Sequence, residues 1–244
     1  MALLYKEKEF FIHTSYVDTK ENARLSGILD ICQDIAGMHA IDIGVGYDVM
    51  VPKGYGWIVL YERLVVRSRM PKFGEDVLVK TWPKARGRLE FEREYEVCDK
   101  DGNSLVSAIS NWAVMDINAR RISKAADVNY EGEYYQNSFF TEKTKRRIGL
   151  TLGEVIASTE YKIQLSDLDP NGHMNNAKYL DIIYNMNVHK EYMNIKEMEI
   201  AFIQEARLDD TINVKYFKNE NSDDCYIGMV NDMPCFEVII RLED

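Results

Sequence analysis

The sequence predicts an α+β protein of two similar halves, each a long helix wrapped by a curved antiparallel sheet. Three observations predict it. Apolar residues recur at helical spacing across 25–41. Runs rich in β-branched and aromatic residues, separated by turn chemistry, follow that segment. The same order of elements then returns in the second half of the 244 residues.

In the first half, 10–17 is the opening strand. The helix spans 25–41 because Ile28, Ile31, Cys32, Ile35 and Met38 fall at i, i+3, i+4, i+7 and i+10, on one face. Gly44 and Gly46 stop it. Strands follow at 57–67, 76–81, 89–98 and 104–116. They are parted by Pro71-Lys72-Phe73-Gly74, by Arg86-Gly87 and by Asp99-Lys100-Asp101-Gly102-Asn103. The second half repeats the plan: a strand at 159–165, a helix at 176–189, then strands at 196–203, 211–218, 225–230 and 235–242. Leu29-Asp30-Ile31 and Leu180-Asp181-Ile182 echo each other 151 residues apart. A helix followed by antiparallel strands buries its apolar stripe against the concave face of the curled sheet. Two repeats, 1–127 and 159–244, joined by a linker at 128–158, are the expected organisation.

Composition narrows the function. The hydrophobic content of 46% with 29% charged residues is that of a soluble globular protein. No apolar run approaches the roughly 18 residues of a membrane span. The N-terminus turns charged at Lys6, too soon for a secretory signal. Cys32, Cys98, Cys225 and Cys235 are scattered and form no CxxC. They read as reduced thiols of a cytoplasmic protein, and neither a metal nor another cofactor is expected.

The charge is split unevenly. Residues 148–244 carry 8 Lys and Arg against 18 Asp and Glu, whereas 1–147 carry 22 of each. This argues against nucleic-acid binding, which needs a clustered positive surface. An acidic macromolecular partner is expected on the basic clusters Lys84, Arg86, Arg88 and Lys143, Lys145, Arg146, Arg147, although solvated loops are the simpler reading of each.

The chemistry concentrates in Asp167-Leu168-Asp169-Pro170-Asn171-Gly172-His173-Met174-Asn175-Asn176, which runs into the second helix. Asp169, Asn171 and His173 sit at every second position. In an extended loop they would point together, beside the free N–H groups of a helix start. Water or a carbonyl oxygen could be handled there. His13, His39 and His189 have no such company and read as structural.

With Trp57-Ile58-Val59-Leu60, Pro71-Lys72-Phe73-Gly74-Glu75, Ser110-Asn111-Trp112-Ala113-Val114-Met115 and Arg120-Arg121-Ile122-Ser123-Lys124, that loop gives the chain its resemblance to the hotdog-fold acyl-acyl-carrier-protein thioesterases of plants and bacteria. The resemblance covers nearly the whole chain. It implies a tandem double hotdog with one active site, carried by the second repeat. The family's Asp-x-Asn-x-His loop falls on Asp169, Asn171 and His173, and its strand glutamate on Glu205. Where the plant enzymes have cysteine after that glutamate, this chain has Ala206, so no thiol nucleophile stands there and the chemistry goes through water. The first repeat has Asn22 at the position of the histidine and is expected to shape the acyl pocket.

A thioester suits such a site. Its leaving thiol, with a pKa of about 8.5, departs with little acid assistance. What remains is to activate water and stabilise the oxyanion. Glu205 is the expected base for water, with His173 and Asn171 orienting substrate and water; the reverse, His173 as base with Glu205 as its orienter, is the alternative, and Asp169 is a second candidate partner for the imidazole. Asn171 can orient substrate through its amide, and the backbone N–H groups of Asn175, Asn176 and Ala177 at the helix start are candidate oxyanion donors. Leu29, Gln33 and Trp57 are candidate walls for the acyl chain. The resemblance implies an acidic acyl carrier protein as partner, docked on the basic clusters. An acyl-coenzyme A hydrolase and a non-catalytic acyl-thioester-binding protein are the rivals. The sequence does not decide whether the chain dimerises.

Overall fold

The computed structural model describes residues 3–124, 128, 130–186 and 194–243. The chain divides into two compact units, Met1–Thr144 and Lys145–Asp244. Each is α+β with an antiparallel sheet.

Unit 1 contains β1 (Leu3–Leu4), β2 (Lys6–Phe11), α1 (Leu25–Asp42), α2 (Tyr47–Met50), β3 (Tyr55–Val66), β4 (Asp76–Pro83), β5 (Glu90–Cys98), β6 (Ser104–Asp116), β7 (Arg121–Ile122) and β8 (Glu133–Tyr134). Its main sheet runs β2-β4-β5-β6-β3, antiparallel throughout, with β7 beside β6. The short β1 and β8 pair in parallel apart from it. Ile28, Ile31, Cys32 and Ile35 of α1 are buried as their spacing requires.

The expected opening strand at 10–17 is corrected. β2 ends at Phe11, and Thr14–Tyr16 forms a 3₁₀ turn that brings the chain back onto α1. The Tyr16 carbonyl then accepts from Arg24 N at 2.8 Å. Gly27 permits this approach, since a Cβ there would strike the Tyr16 backbone.

Unit 2 contains β9 (Ala157–Lys162), α3 (Asn176–Asn185), β10 (Ile195–Phe202), β11 (Thr211–Lys218), β12 (Asp224–Val230) and β13 (Met233–Leu242), with sheet order β10-β13-β12-β11-β9. The expected helix at 176–189 ends at Asn185, with Met186 as its cap; 187–189, including His189, lie outside the described residues.

The stretch 128–158 is shared between the units. In unit 1, buried Glu94 accepts from Ser138 Oγ and Phe139 N, and Glu92 accepts from Thr144 N. In unit 2, Glu237 accepts from Ile148 N at 2.9 Å and Gly149 N at 2.8 Å. Among the described residues no helix is long and apolar enough to cross a membrane.

Aromatic packing fixes α3. Tyr179 meets the rings of Phe202 and Phe236 edge-on, at centroid distances of 5.4 and 5.1 Å. Gly228 leaves room for Phe236, because a Cβ there would fall inside that ring's envelope. Gly228→Ala should therefore destabilise unit 2 by roughly 1–3 kcal/mol; a urea midpoint equal to the parent's would refute this.

His39 is buried on α1, where Arg93 of β5 donates to its Nδ1 at 2.9 Å. Burial, helped by the neighbouring guanidinium, lowers its pKa from 6.5 to about 4. Below about pH 6.5 the unfolded chain takes a proton that the folded one refuses, so stability is full above that pH and is lost as it falls toward 4, by up to about 3 kcal/mol. Denaturation followed from pH 7 to pH 4 should show a shallower decline for His39→Gln than for the parent. Equal slopes would rule this out.

Candidate active site

The site is built on a loop that is closed, not extended. Asp169 N donates to His173 O at 2.8 Å, and Gly172 N returns to Asp169 O at 3.0 Å. Gly172 sits at φ +77°, in the left-handed region glycine enters freely. The Asp169 carboxylate grips the turn. Its Oδ1 accepts from Asn171 N at 2.9 Å and His173 N at 3.0 Å, and its Oδ2 from Asn171 Nδ2 at 3.1 Å. Asp169, Asn171 and His173 thus do not point together as an extended loop would have them. Asp169 spends its acceptors on the loop, and Asn171 spends one amide hydrogen on Asp169.

The loop's ends are anchored as well. Buried Asp167 accepts from Tyr161 Oη at 2.7 Å and Gln164 N at 2.8 Å through Oδ2. Its carbonyl accepts from Asn175 N at 2.8 Å. Asn175 is the N-cap of α3, its Oδ1 accepting from Ala177 N at 2.9 Å. Of the expected oxyanion donors, the Asn175 and Ala177 N–H groups are therefore engaged within the protein. Asn176 is the first residue of α3.

Glu205 lies past the end of β10, in the segment that leads to Arg207. The expected placement on the strand itself is corrected. Met174 N donates to Ala206 O at 2.9 Å, and His173 bridges to Arg207. These backbone contacts bring His173 Nε2 to 3.2 Å from Glu205 Oε2, both side chains 24% exposed. Arg207 Nη2 approaches the same oxygen at 3.5 Å. Sequence reasoning missed Arg207, whose only signal was its position two residues beyond Glu205.

Unit 1 carries the same loop without the acid–imidazole pair. Asp18 Oδ1 accepts from Lys20 N at 2.8 Å and Asn22 N at 3.0 Å, Asp18 N donates to Asn22 O, and Ala23 N donates to Pro71 O. Glu21 takes the left-handed conformation of Gly172, at φ +65°. By this correspondence Asn22 stands for His173 and Met70 for Glu205.

The remaining expected residues are placed as follows. Leu29, buried, and Gln33, partly buried, lie on α1. Trp57 of β3 donates from Nε1 to Val45 O at 2.8 Å and meets Phe91 edge-on. All three belong to unit 1, whereas Asp169, Asn171, His173, Asn175, Asn176 and Glu205 belong to unit 2. Lys84 is committed internally: it donates to Phe140 O and lies 3.4 Å from Glu94. Arg86 donates to Val128 O, and Lys145 lies 3.7 Å from Glu199. Arg88, Lys143, Arg146 and Arg147 are exposed. Among the described residues no three His, Cys, Asp or Glu are grouped to hold a metal.

Family profiles match both units: the acyl-ACP thioesterase N-terminal domain over residues 3–132 and the C-terminal domain over 152–232. The oleoyl-acyl carrier protein thioesterase of Coriandrum sativum is 25% identical over 233 residues, covering 87% of this chain and 62% of that protein. The palmitoyl-acyl carrier protein thioesterase of Gossypium hirsutum is 29% identical over 188 residues, covering 71% and 45%. The chain thus spans less than two thirds of the length of these curated relatives. In fold it resembles an acyl-ACP thioesterase from Bacteroides thetaiotaomicron, with TM-score 0.84, 23% identity and 98% of each chain covered. It also resembles the 12:0-ACP thioesterase of Umbellularia californica, with TM-score 0.80, 18% identity and coverage of 98% and 97%. With both of its units matched by that family's profiles, the chain belongs to the acyl-ACP thioesterase family.

Proposed function

We propose that this protein hydrolyses the thioester of a fatty acyl chain held on acyl carrier protein, releasing the free acid and the carrier's thiol. The observation that carries the reading is the 3.2 Å approach of His173 Nε2 to Glu205 Oε2 in a half-buried site at a helix start. Family membership supplies the substrate class.

The geometry supports the alternative assignment over the expected one, in which Glu205 is the base. Glu205 lies against both an imidazole and a guanidinium, two donors from which its carboxylate accepts. Accepting from Nε2–H fixes the imidazole tautomer and turns Nδ1 toward the proton of an attacking water. In this reading His173 is the general base and Glu205 its orienting partner. Asn171, through its second amide hydrogen, and the Asn176 N–H at the start of α3 hold the developing oxyanion. Asp169 positions the loop and touches no substrate.

Water attacks directly. Ala206 offers no nucleophile, and all four cysteines are buried. The two units are read as hotdog repeats, an idea supported by the paired loops at Asp18 and Asp169. Unit 1, without the acid–imidazole pair, is assigned to acyl binding. The exposed Arg88, Lys143, Arg146 and Arg147 are assigned to the acidic carrier.

Thiol release from acyl-carrier substrates tests this. His173→Ala and Glu205→Ala should each lose at least ~10²-fold in kcat/KM. The double variant should be little worse than the poorer single one, because the pair acts as a unit. Losses that multiply would break the pairing, and parent-like rates would end the hydrolase reading. Prior treatment with iodoacetamide, followed by removal of the reagent, should leave the rate unchanged; inactivation would point to a thiol on the reaction path.

A further inference from the structure

The sheet of unit 1 carries a polar row where a core is expected. Glu62 of β3, Ser110 of β6 and Arg93 of β5 stand in register on adjacent strands. Their shared face is the one toward α1, because Arg93 donates from Nη1 to His39 of that helix and to Thr81 Oγ1 at 3.1 Å. On the α3 side of unit 2, the registered residues Ile200, Val238 and Tyr226 are buried and largely apolar.

The row is unbalanced. Among the described residues no carboxylate lies within ion-pair distance of Arg93; only the Tyr95 and Tyr130 hydroxyls act on its charge from nearby. Glu62 is 4% exposed, and its Oε2 has no hydrogen-bond partner among the described residues. Burial, and then the charge of Asp30, push its pKa up to about 8, so near neutrality it is a donor. Between the two, Ser110 Oγ is 2.9 Å from Tyr95 Oη and accepts from Trp112 Nε1 at 2.6 Å. The Glu62 end therefore presents a hydrogen without an acceptor, and the Arg93 end, bonded to His39 Nδ1 and Thr81 Oγ1, lacks an anionic one. A guanidinium partly withdrawn from water without a counter-charge is disfavoured, and a ligand that brings one relieves that. Toward its Arg93 end the row is bordered by groups that are only partly buried: Arg93 itself, Trp112 and Tyr130.

We propose that the row Glu62–Ser110–Arg93 beneath α1 binds the carboxylate of an aliphatic chain, supplied by a free fatty acid or by the far end of a dicarboxylic acyl group. Arg93 donates to it as a cation and Glu62 as a neutral acid. The aliphatic part of this ligand rests on the hydrolase reading; the anionic part rests on the row alone.

Tryptophan fluorescence reads the site, because Trp112 is bonded within it. The full-length chain is titrated with dodecanoate, methyl dodecanoate and monomethyl dodecanedioate. The parent should bind a carboxylate ligand at least ~10-fold tighter than methyl dodecanoate, the scale of a hydrogen bond to a charged group. The tighter of the two carboxylates identifies the source. Arg93→Gln should abolish the preference, while Arg93→Lys and Glu62→Gln, which keep a donor, should retain part of it. The preference should survive His173→Ala, which separates this site from the hydrolytic pair. If the parent binds acid and ester equally, the proposal fails whatever the variants do. No thiol release is measured, so that failure would leave the hydrolase reading standing.

Discussion

One backbone hydrogen bond, from Met174 N to the carbonyl of Ala206 at 2.9 Å, sets the candidate site. It ties the loop entering α3 to the segment leaving β10, and so places an imidazole from one beside a carboxylate from the other. Neither element holds both groups. The bond in turn requires the loop to be narrow. Asp169 makes it so by gathering two backbone N–H groups and one side-chain amide, and Gly172 by turning where other residues are strained. Behind the loop, Asp167 fixes its start and Asn175 its exit into α3. The reacting pair is thus placed by peptide groups, and its side chains are left for chemistry.

Much of the fold was legible because local pattern and tertiary burial agree. α1 was found from apolar spacing alone, and β6 begins where the turn residues Asp99-Lys100-Asp101-Gly102-Asn103 end. The opening strand was misplaced because the signal that ends it is distant. Phe10 to Val17 is rich enough in aromatic and β-branched residues for a strand, but Tyr16 is drawn onto α1 at Gly27, which no local reading connects to it.

The site was legible in composition and not in geometry. The aspartate, asparagine, glycine and histidine of the loop stand out by type, yet an Asp-x-Asn-Gly stretch is also turn chemistry. Asp169 does the work of the turn. Glu205 was found through resemblance; its position beyond the strand, with Arg207 as second neighbour, depends on where β10 stops. The row under α1 was invisible for a related reason. Glu62 meets Ser110 only after the register of β3 on β6 shifts between Val59 and Tyr61. A single displaced residue changes which face a side chain joins, and nothing in the sequence marks the shift.

The loop at Asp18 has the aspartate clamp, the left-handed residue and the carbonyl anchor, without the acid–imidazole pair. The clamp is therefore a debt to folding, owed by both copies regardless of task. The acid–imidazole pair is a two-position overlay on it. Asn22 and Met70 stand in unit 1 where histidine and glutamate stand in unit 2, and the turn closes the same way around either pair.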